Sequence, residues 1–394
     1  MTEFAKRVRG VSGDAIREIF AMMADRELLS FGGGSPAKET FPVDEIRAII
    51  DSALSRNPDG LLQYGMTDGW MPLREAYLEH LVRGKGVRAD IENVITLTGS
   101  TQGMSIVAEA FLDPGDKVLV ESPTFLGTLM GLRKLGADCI PVKGDDRGIV
   151  IEDLEDKMKR HRPKILYVIP TFQNPTGLTI PEDRRKEIAR LAGVYDVIVI
   201  EDDPYCELRY SGTPVPPIKS FDGSGHVVMV NSFSKTISPG IRVGAMTADA
   251  NIIRKASDIR QLADTHGVNL TQEICAEFLN RGHMPGHLKK ITPIYEERLA
   301  AMLGGISAHF PEECRFTRPE GGLFVWVELP RGTDSAQLLK RSVAEMKVGF
   351  IPGGPFFVNP EDGANCFRLN FSSNPPDRIA DGMERLGSFL KKAI

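Results

Sequence analysis

The chain has 394 residues, 42% of them hydrophobic and 26% charged, and carries a formal net charge of −5, the composition of a globular protein long enough for more than one domain. No basic stripe or tail stands out, which argues against nucleic acid or an anionic membrane as partner, and the apolar runs fall short of the ~20 residues of a membrane helix. Five scattered cysteines (Cys139, Cys206, Cys275, Cys314, Cys366) without metal-ligand spacing, and an N-terminus of mixed charge without an apolar signal core, point to reduced thiols in a cytoplasmic protein with no metal site.

In chain order, residues 1–45 predict a helix over about 13–25, followed by the loop FGGGSPAKETFP. From 94 to 247 short apolar runs alternate with helical stretches: VITLT (94–98), KVLVE (117–121), DCIPV (138–142), ILYVI (165–169), VIVIE (197–201), VVMVN (227–231) and IRVGAMT (241–247). Unbroken apolar runs read as strands covered on both faces, and their alternation with helices reads as a mostly parallel α/β sheet. Pro181-Glu182-Asp183 opens one such helix, with proline and acids in its first turn. The last third changes character. A helix over about 285–307 precedes strand-like LFVWVELP (323–330), helix-like SAQLLKRSVAEM (335–346), strand-like CFRLNFS (366–372) and a helix from Pro376 onward. That order is an α+β pattern and predicts a second, smaller domain.

Polar clusters follow five of the strands directly: Gly99-Ser100-Thr101-Gln102, Ser122 to Phe125, Asn174 to Gly177, Asp202-Asp203-Pro-Tyr205, and Ser232-Phe-Ser234-Lys235. Ligands of an open parallel sheet bind outside the carboxyl ends of its strands, so the five clusters are expected to meet at one site. Ser100 and Thr101 at a helix start, with Ser232, Ser234 and Arg242, describe an anion cup suited to phosphate. Phe125 offers a face for a flat ring. A buried aspartate requires a cationic partner, which a protonated ring nitrogen supplies. Tyr205 and Asn174 suit a phenolic oxygen, and Lys235, desolvated at the mouth of a buried strand, suits a Schiff base with an aldehyde. The ligand with a phosphate, a basic ring nitrogen, a phenolic oxygen and an aldehyde is pyridoxal 5′-phosphate (PLP).

The segments NPTG, DDPY and SFSK followed by Arg242 resemble those of the class I/II aminotransferases of PLP fold type I. LLQYGMTDGWMPLREA (61–76), FLDPGDKVLVESPTF (111–125) and PEGGLFVWVELP (319–330) make the chain most similar to the 2-aminoadipate/kynurenine aminotransferase-like subgroup. The resemblance implies a large α/β domain over 46–285 with a mostly parallel seven-stranded sheet between helices, and a small α+β domain over 286–394. Residues 1–45 would pack with the small domain and the active site. It further implies Lys235 as the Schiff-base lysine, Asp202 rather than Asp203 as partner of the ring nitrogen, and Tyr205 and Asn174 on the phenolic oxygen. Ser100, Thr101, Ser232, Ser234 and Arg242 would hold the phosphate and Phe125 would stack on the ring. Arg368 would grip the substrate carboxylate through paired hydrogen bonds, Asn174 would also touch substrate, and Gly34 would lie over it. Tyr64 resembles a tyrosine that reaches the neighbouring subunit's phosphate, which implies a homodimer with shared sites.

The expected reaction is ping-pong transfer of an amino group between an L-amino acid and a 2-oxo acid such as 2-oxoglutarate. A 2-aminoadipate, aromatic or branched-chain donor is open. Another PLP enzyme on the same scaffold, a β-lyase or decarboxylase, would share the cofactor residues. A non-catalytic, DNA-binding regulator would need a further module, whereas here the aminotransferase-like pattern starts within the first few tens of residues.

Overall fold

The computed structural model of the protein describes residues 3–5, 8 and 27–394; the helix expected over 13–25 lies outside that set. Strand β1 (Leu29–Ser30) comes first. The seven apolar runs become β2 (Val94–Leu97), β3 (Lys117–Ser122), β4 (Asp138–Asp145), β6 (Ile165–Val168), β7 (Ile198–Asp202), β8 (Val227–Ser232) and β9 (Gly244–Thr247), with a two-residue β5 (Gly148–Ile149) after β4. They hydrogen-bond in the order β2-β9-β8-β7-β6-β3-β4-β5. Among the described residues the seven expected strands are all present, and the two-residue β5 adds an eighth at the edge. The extra one folds back antiparallel on β4, pairing Gly144 with Ile149, and two residues are too few to show a periodic pattern.

Strand direction decides where the site lies. β4, β3, β6, β7 and β8 are mutually parallel, while β9 runs antiparallel to both β8 and β2. The carboxyl ends of β2, β3, β6, β7 and β8 thus share one edge with the start of β9. Helices cover both faces, and the apolar runs divide between them with the period of two that a strand imposes. Val118, Val120, Ile165, Tyr167 and Ile200 pack on the side of helix Ser100–Phe111, whereas Leu119, Leu166, Val168 and Val199 meet Leu154, Ile188 and Leu191 on the other.

Helix His283–His309 leads to the remaining elements: β10 (Arg315–Phe316), β11 (Phe324–Glu328), helix Ser335–Met346, β12 (Val348–Gly349), β13 (Ile351–Pro352), β14 (Cys366–Asn370) and helix Pro376–Ala393. Strands β10-β11-β14-β13 form an antiparallel sheet. β1 pairs parallel with β12, and Leu29 and Phe31 are buried among Phe324, Phe350, Phe367 and Met383. That anchorage carries the glycine run 32–34 towards the carboxyl edge of the large sheet. No described helix is long and apolar enough to cross a membrane.

Candidate active site

Each strand of the shared edge delivers its polar cluster within a few residues of its last ladder hydrogen bond. After β2, Gly99 (φ 79) turns the chain straight into helix Ser100–Phe111. A Cβ at Gly99 would collide with the Arg242 guanidinium, so only glycine lets the helix start and the arginine lie together. Arg242 stands just before β9, the reversed strand, and donates from a guanidinium nitrogen to the Thr98 carbonyl at 3.2 Å. The first-turn N–H groups of a helix have no intrahelical acceptor, so this corner pairs free donors with a fixed positive charge.

Twelve of the thirteen expected site residues line one cavity of about 290 Å³: Gly34, Ser100, Thr101, Phe125, Asn174, Asp202, Tyr205, Ser232, Ser234, Lys235, Arg242 and Arg368. Tyr64 is the exception. It lies in a larger, open groove of about 950 Å³ along residues 57–72, where its ring is 82% exposed and meets His266 edge-on at 5.7 Å. Asp203, next to Asp202, points away from the cavity into a separate small pocket, as alternation along a strand end dictates.

The electrostatics distinguish the groups that meet in the cavity. Burial, reinforced by the Arg368 and Arg242 guanidinium groups and opposed by Asp202, pulls the Lys235 ammonium down to about 8. Its Nζ donates to the Gly34 carbonyl at 2.8 Å. Burial pushes the Asp202 carboxyl up to about 7 against a hydrogen bond from Tyr167. The Tyr167 hydroxyl donates to Asp202 Oδ2 at 2.7 Å, while Oδ1 is buried with no partner among the described residues. A cationic N–H in the cavity would satisfy that oxygen, and the other donors suit an anion and an aldehyde, so the residues fit PLP. Arg368, drawn down to about 10 by burial, donates to Asn174 Oδ1 at 2.8 Å and to the Gly32 and Gly33 carbonyls at 2.7 and 3.3 Å. Its Nε is buried without a partner among the described residues, and its guanidinium lies 4.2 Å from the centre of the Phe324 ring.

Several residues here escaped the sequence. Tyr167 lies inside an apolar strand, where a tyrosine reads as core. Phe324, from β11, lines the cavity and also meets the Tyr205 ring edge-on at 5.9 Å; it too reads as core. Ser35, Leu126, Ile169, Pro204 and Pro239 complete the wall. Most of these adjoin an expected residue in sequence, which is the one signal that could have found them.

The model of the family described as "Aminotransferase class I and II" matches residues 27–386. The aromatic-amino-acid aminotransferase 1 of Thermococcus litoralis is 37% identical, over 99% of this chain and 94% of its own. Among solved structures, the Pyrococcus horikoshii kynurenine aminotransferase is 37% identical with a TM-score of 0.95, covering 99% of this chain and 97% of that one. The α-aminoadipate aminotransferase of Thermus thermophilus, complexed with N-(5′-phosphopyridoxyl)-L-leucine, is 35% identical with a TM-score of 0.91 and the same coverage. A family match over most of the length joins a cavity whose charges fit the cofactor, and both lead to one conclusion: the chain belongs to the class I and II aminotransferases and is a PLP-dependent transaminase.

Proposed function

We propose that the cavity holds PLP through Lys235 Nζ at its aldehyde, Asp202 Oδ1 at its ring nitrogen and Tyr205 with Asn174 at its phenolic oxygen. Ser100, Thr101, Ser232, Ser234 and Arg242 hold its phosphate, and Phe125 lies against its ring. The observation that carries this reading is the buried, unpartnered Asp202 Oδ1 in the same cavity as the Lys235 amine. The cofactor, when bound, supplies the carbonyl that exchanges for the amino group and a ring that withdraws electrons from the reacting carbon.

The chain's own residues do the rest. Arg368 orients the substrate by its α-carboxylate, and replacing the Gly32 and Gly33 carbonyls on the guanidinium by a carboxylate strengthens the contact. Asn174, bonded to Arg368, and Gly34 complete the substrate's seat. Lys235 Nζ, its proton affinity lowered by burial and two guanidinium groups, takes the proton from the substrate Cα and returns it, because an appreciable fraction is neutral amine near pH 8. The amino donor is an aromatic amino acid, kynurenine or 2-aminoadipate, with 2-oxoglutarate as acceptor. Support comes from the names of the relatives and from the apolar wall of Phe125, Leu126 and Ile169.

The working unit is a cytoplasmic homodimer in which Tyr64 reaches the partner's site. Leu62, at the end of helix Pro58–Leu62, and Tyr64 and Met66 in the stretch after it are 74%, 82% and 73% exposed, large apolar side chains of the kind an interface covers. The division at 45 and 285 is retained as a domain proposal. It is supported by the shared core of Leu29, Phe31 and the C-terminal elements. Helix His283–His309 spans the second boundary.

A panel of amino acids with 2-oxoglutarate tests the reaction. Glutamate formation with ping-pong kinetics is expected, fastest with the donors named. Release of ammonia or carbon dioxide without glutamate would replace transamination by a lyase or decarboxylase.

A further inference from the structure

Next to the active-site cavity, across Pro204 and Ser232, which line both, lies a second group of reactive side chains that transamination does not use. Lys85 ends a short turn, Arg83–Lys85. Its Nζ is 2.9 Å from Cys206 Sγ and 2.6 Å from Glu207 Oε1. Sulfur is larger than oxygen, so a nitrogen at 2.9 Å from it is closer than an N–H···S hydrogen bond normally brings the two atoms. One bridging oxygen, joined by single bonds to nitrogen and sulfur at a bent angle, spans such a gap. The neighbours suit that chemistry. Lys85, Asp203, Cys206, Glu207 and Thr236 line a cavity of about 20 Å³, room for a single small molecule. The Lys85 side chain keeps 25% of its exposure and Glu207 27%, so oxidant and reductant can approach. Asp203 Oδ1 is buried with no hydrogen-bond partner among the described residues.

We propose that Lys85 and Cys206 form a reversible covalent N–O–S crosslink with dioxygen as the oxidant. Against burial, the charges of Cys206, Glu207 and Asp203 hold the Lys85 ammonium well above the ordinary lysine value, so the amine that reacts is the minor fraction that has passed its proton to Glu207. The thiol S–H and one amine N–H are lost as N–O and O–S bonds form. Nitrogen and sulfur are oxidised. Dioxygen is reduced: one oxygen atom stays as the bridge and the other leaves as water with the two hydrogens. Excess dithiol reverses the change, returning amine, thiol and water while becoming disulfide. The crosslink ties the Arg83–Lys85 turn to the residue that follows Tyr205. It closes a segment 121 residues long, which restrains the unfolded chain strongly.

Intact-mass and peptide mass spectrometry of the PLP-loaded protein, kept in air or under dithiothreitol without oxygen, decide the matter. In air, wild type gains one oxygen and loses two hydrogens, and a peptide containing Lys85 is joined to one containing Cys206. Its melting temperature rises with the mass change, and dithiothreitol abolishes both. Lys85→Arg and Cys206→Ser, checked for fold by circular dichroism, show neither. Wild type in air that shows no change, only an added oxygen on Cys206, or an intermolecular disulfide overturns the proposal. So does a joined mass that persists in either variant.

Discussion

Replacing Tyr167 by phenylalanine removes one hydroxyl and little volume from the core, yet the structure makes it consequential. Among the described residues the hydroxyl is the sole donor to the Asp202 carboxylate, at 2.7 Å from Oδ2, and Oδ1 has none. A hydrogen bond to a charged group stabilises it by about 1.5–3 kcal/mol, roughly one to two powers of ten in any equilibrium that ionises Asp202. The carboxyl already titrates near 7 because burial opposes its charge, and losing the donor raises it further. The pH dependence follows from the sign. Below about 7 the free protein holds Asp202 protonated and must ionise it to pair with a cationic ring nitrogen, so the variant bears the full penalty. Once the pH exceeds the variant's own raised value, free and bound states both carry the charge and the penalty disappears. Apo protein is titrated with PLP by fluorescence quenching at pH values on either side of this point. The expected result is a Tyr167→Phe dissociation constant raised about 10- to 100-fold at low pH and converging on wild type at high pH. Equal affinity at low pH, or a penalty that ignores pH, refutes the reasoning.

Three further outcomes are expected. In the apo protein, the raised Asp202 carboxyl favours the folded state only while protonated, so its contribution is lost as pH rises from the unfolded value near 4 through about 7. Asp202→Asn should remove about 4 kcal/mol of that decline, seen by urea denaturation at several pH values; an unchanged slope excludes Asp202 as a source. Arg368→Lys loses the paired geometry of the guanidinium, so KM for donor and 2-oxo acid should rise about 100-fold while PLP affinity stays within a few-fold; comparable losses in both would move Arg368 out of the substrate seat. Borohydride reduction of the PLP-loaded enzyme should label Lys235, and Lys235→Ala should fold without covalent cofactor or its absorption band; a labelled Lys235→Ala chain would assign the attachment elsewhere.

That Lys235, Asp202, Tyr205, Asn174 and Ser100 gather in one cavity was legible because each stands within five residues of the end of an unbroken apolar run, and a parallel sheet leaves no choice about where such residues meet. Asp202 could be set apart from Asp203 only by resemblance. In the structure the alternation of a strand end separates them, one facing the cavity and the other Lys85. Arg368 lies 194 residues from its partner Asn174, and it too came from resemblance rather than from any local pattern. Tyr167 stayed hidden because a tyrosine in an apolar strand looks like core whether or not its hydroxyl has a task.

By itself, then, the order of residues determined the alternation of strands and helices and the chemistry placed at the strand ends, since periodicity, turn residues and desolvated charge act over a few neighbours. Only the tertiary structure decided that β9 runs backwards and so brings Arg242 to the same edge, that β1 pairs with β12 and so carries Gly34 to Lys235, and that Lys85 meets Cys206. These meetings join residues tens to hundreds of positions apart. They follow from which faces pack and which strands pair, and no local pattern encodes that.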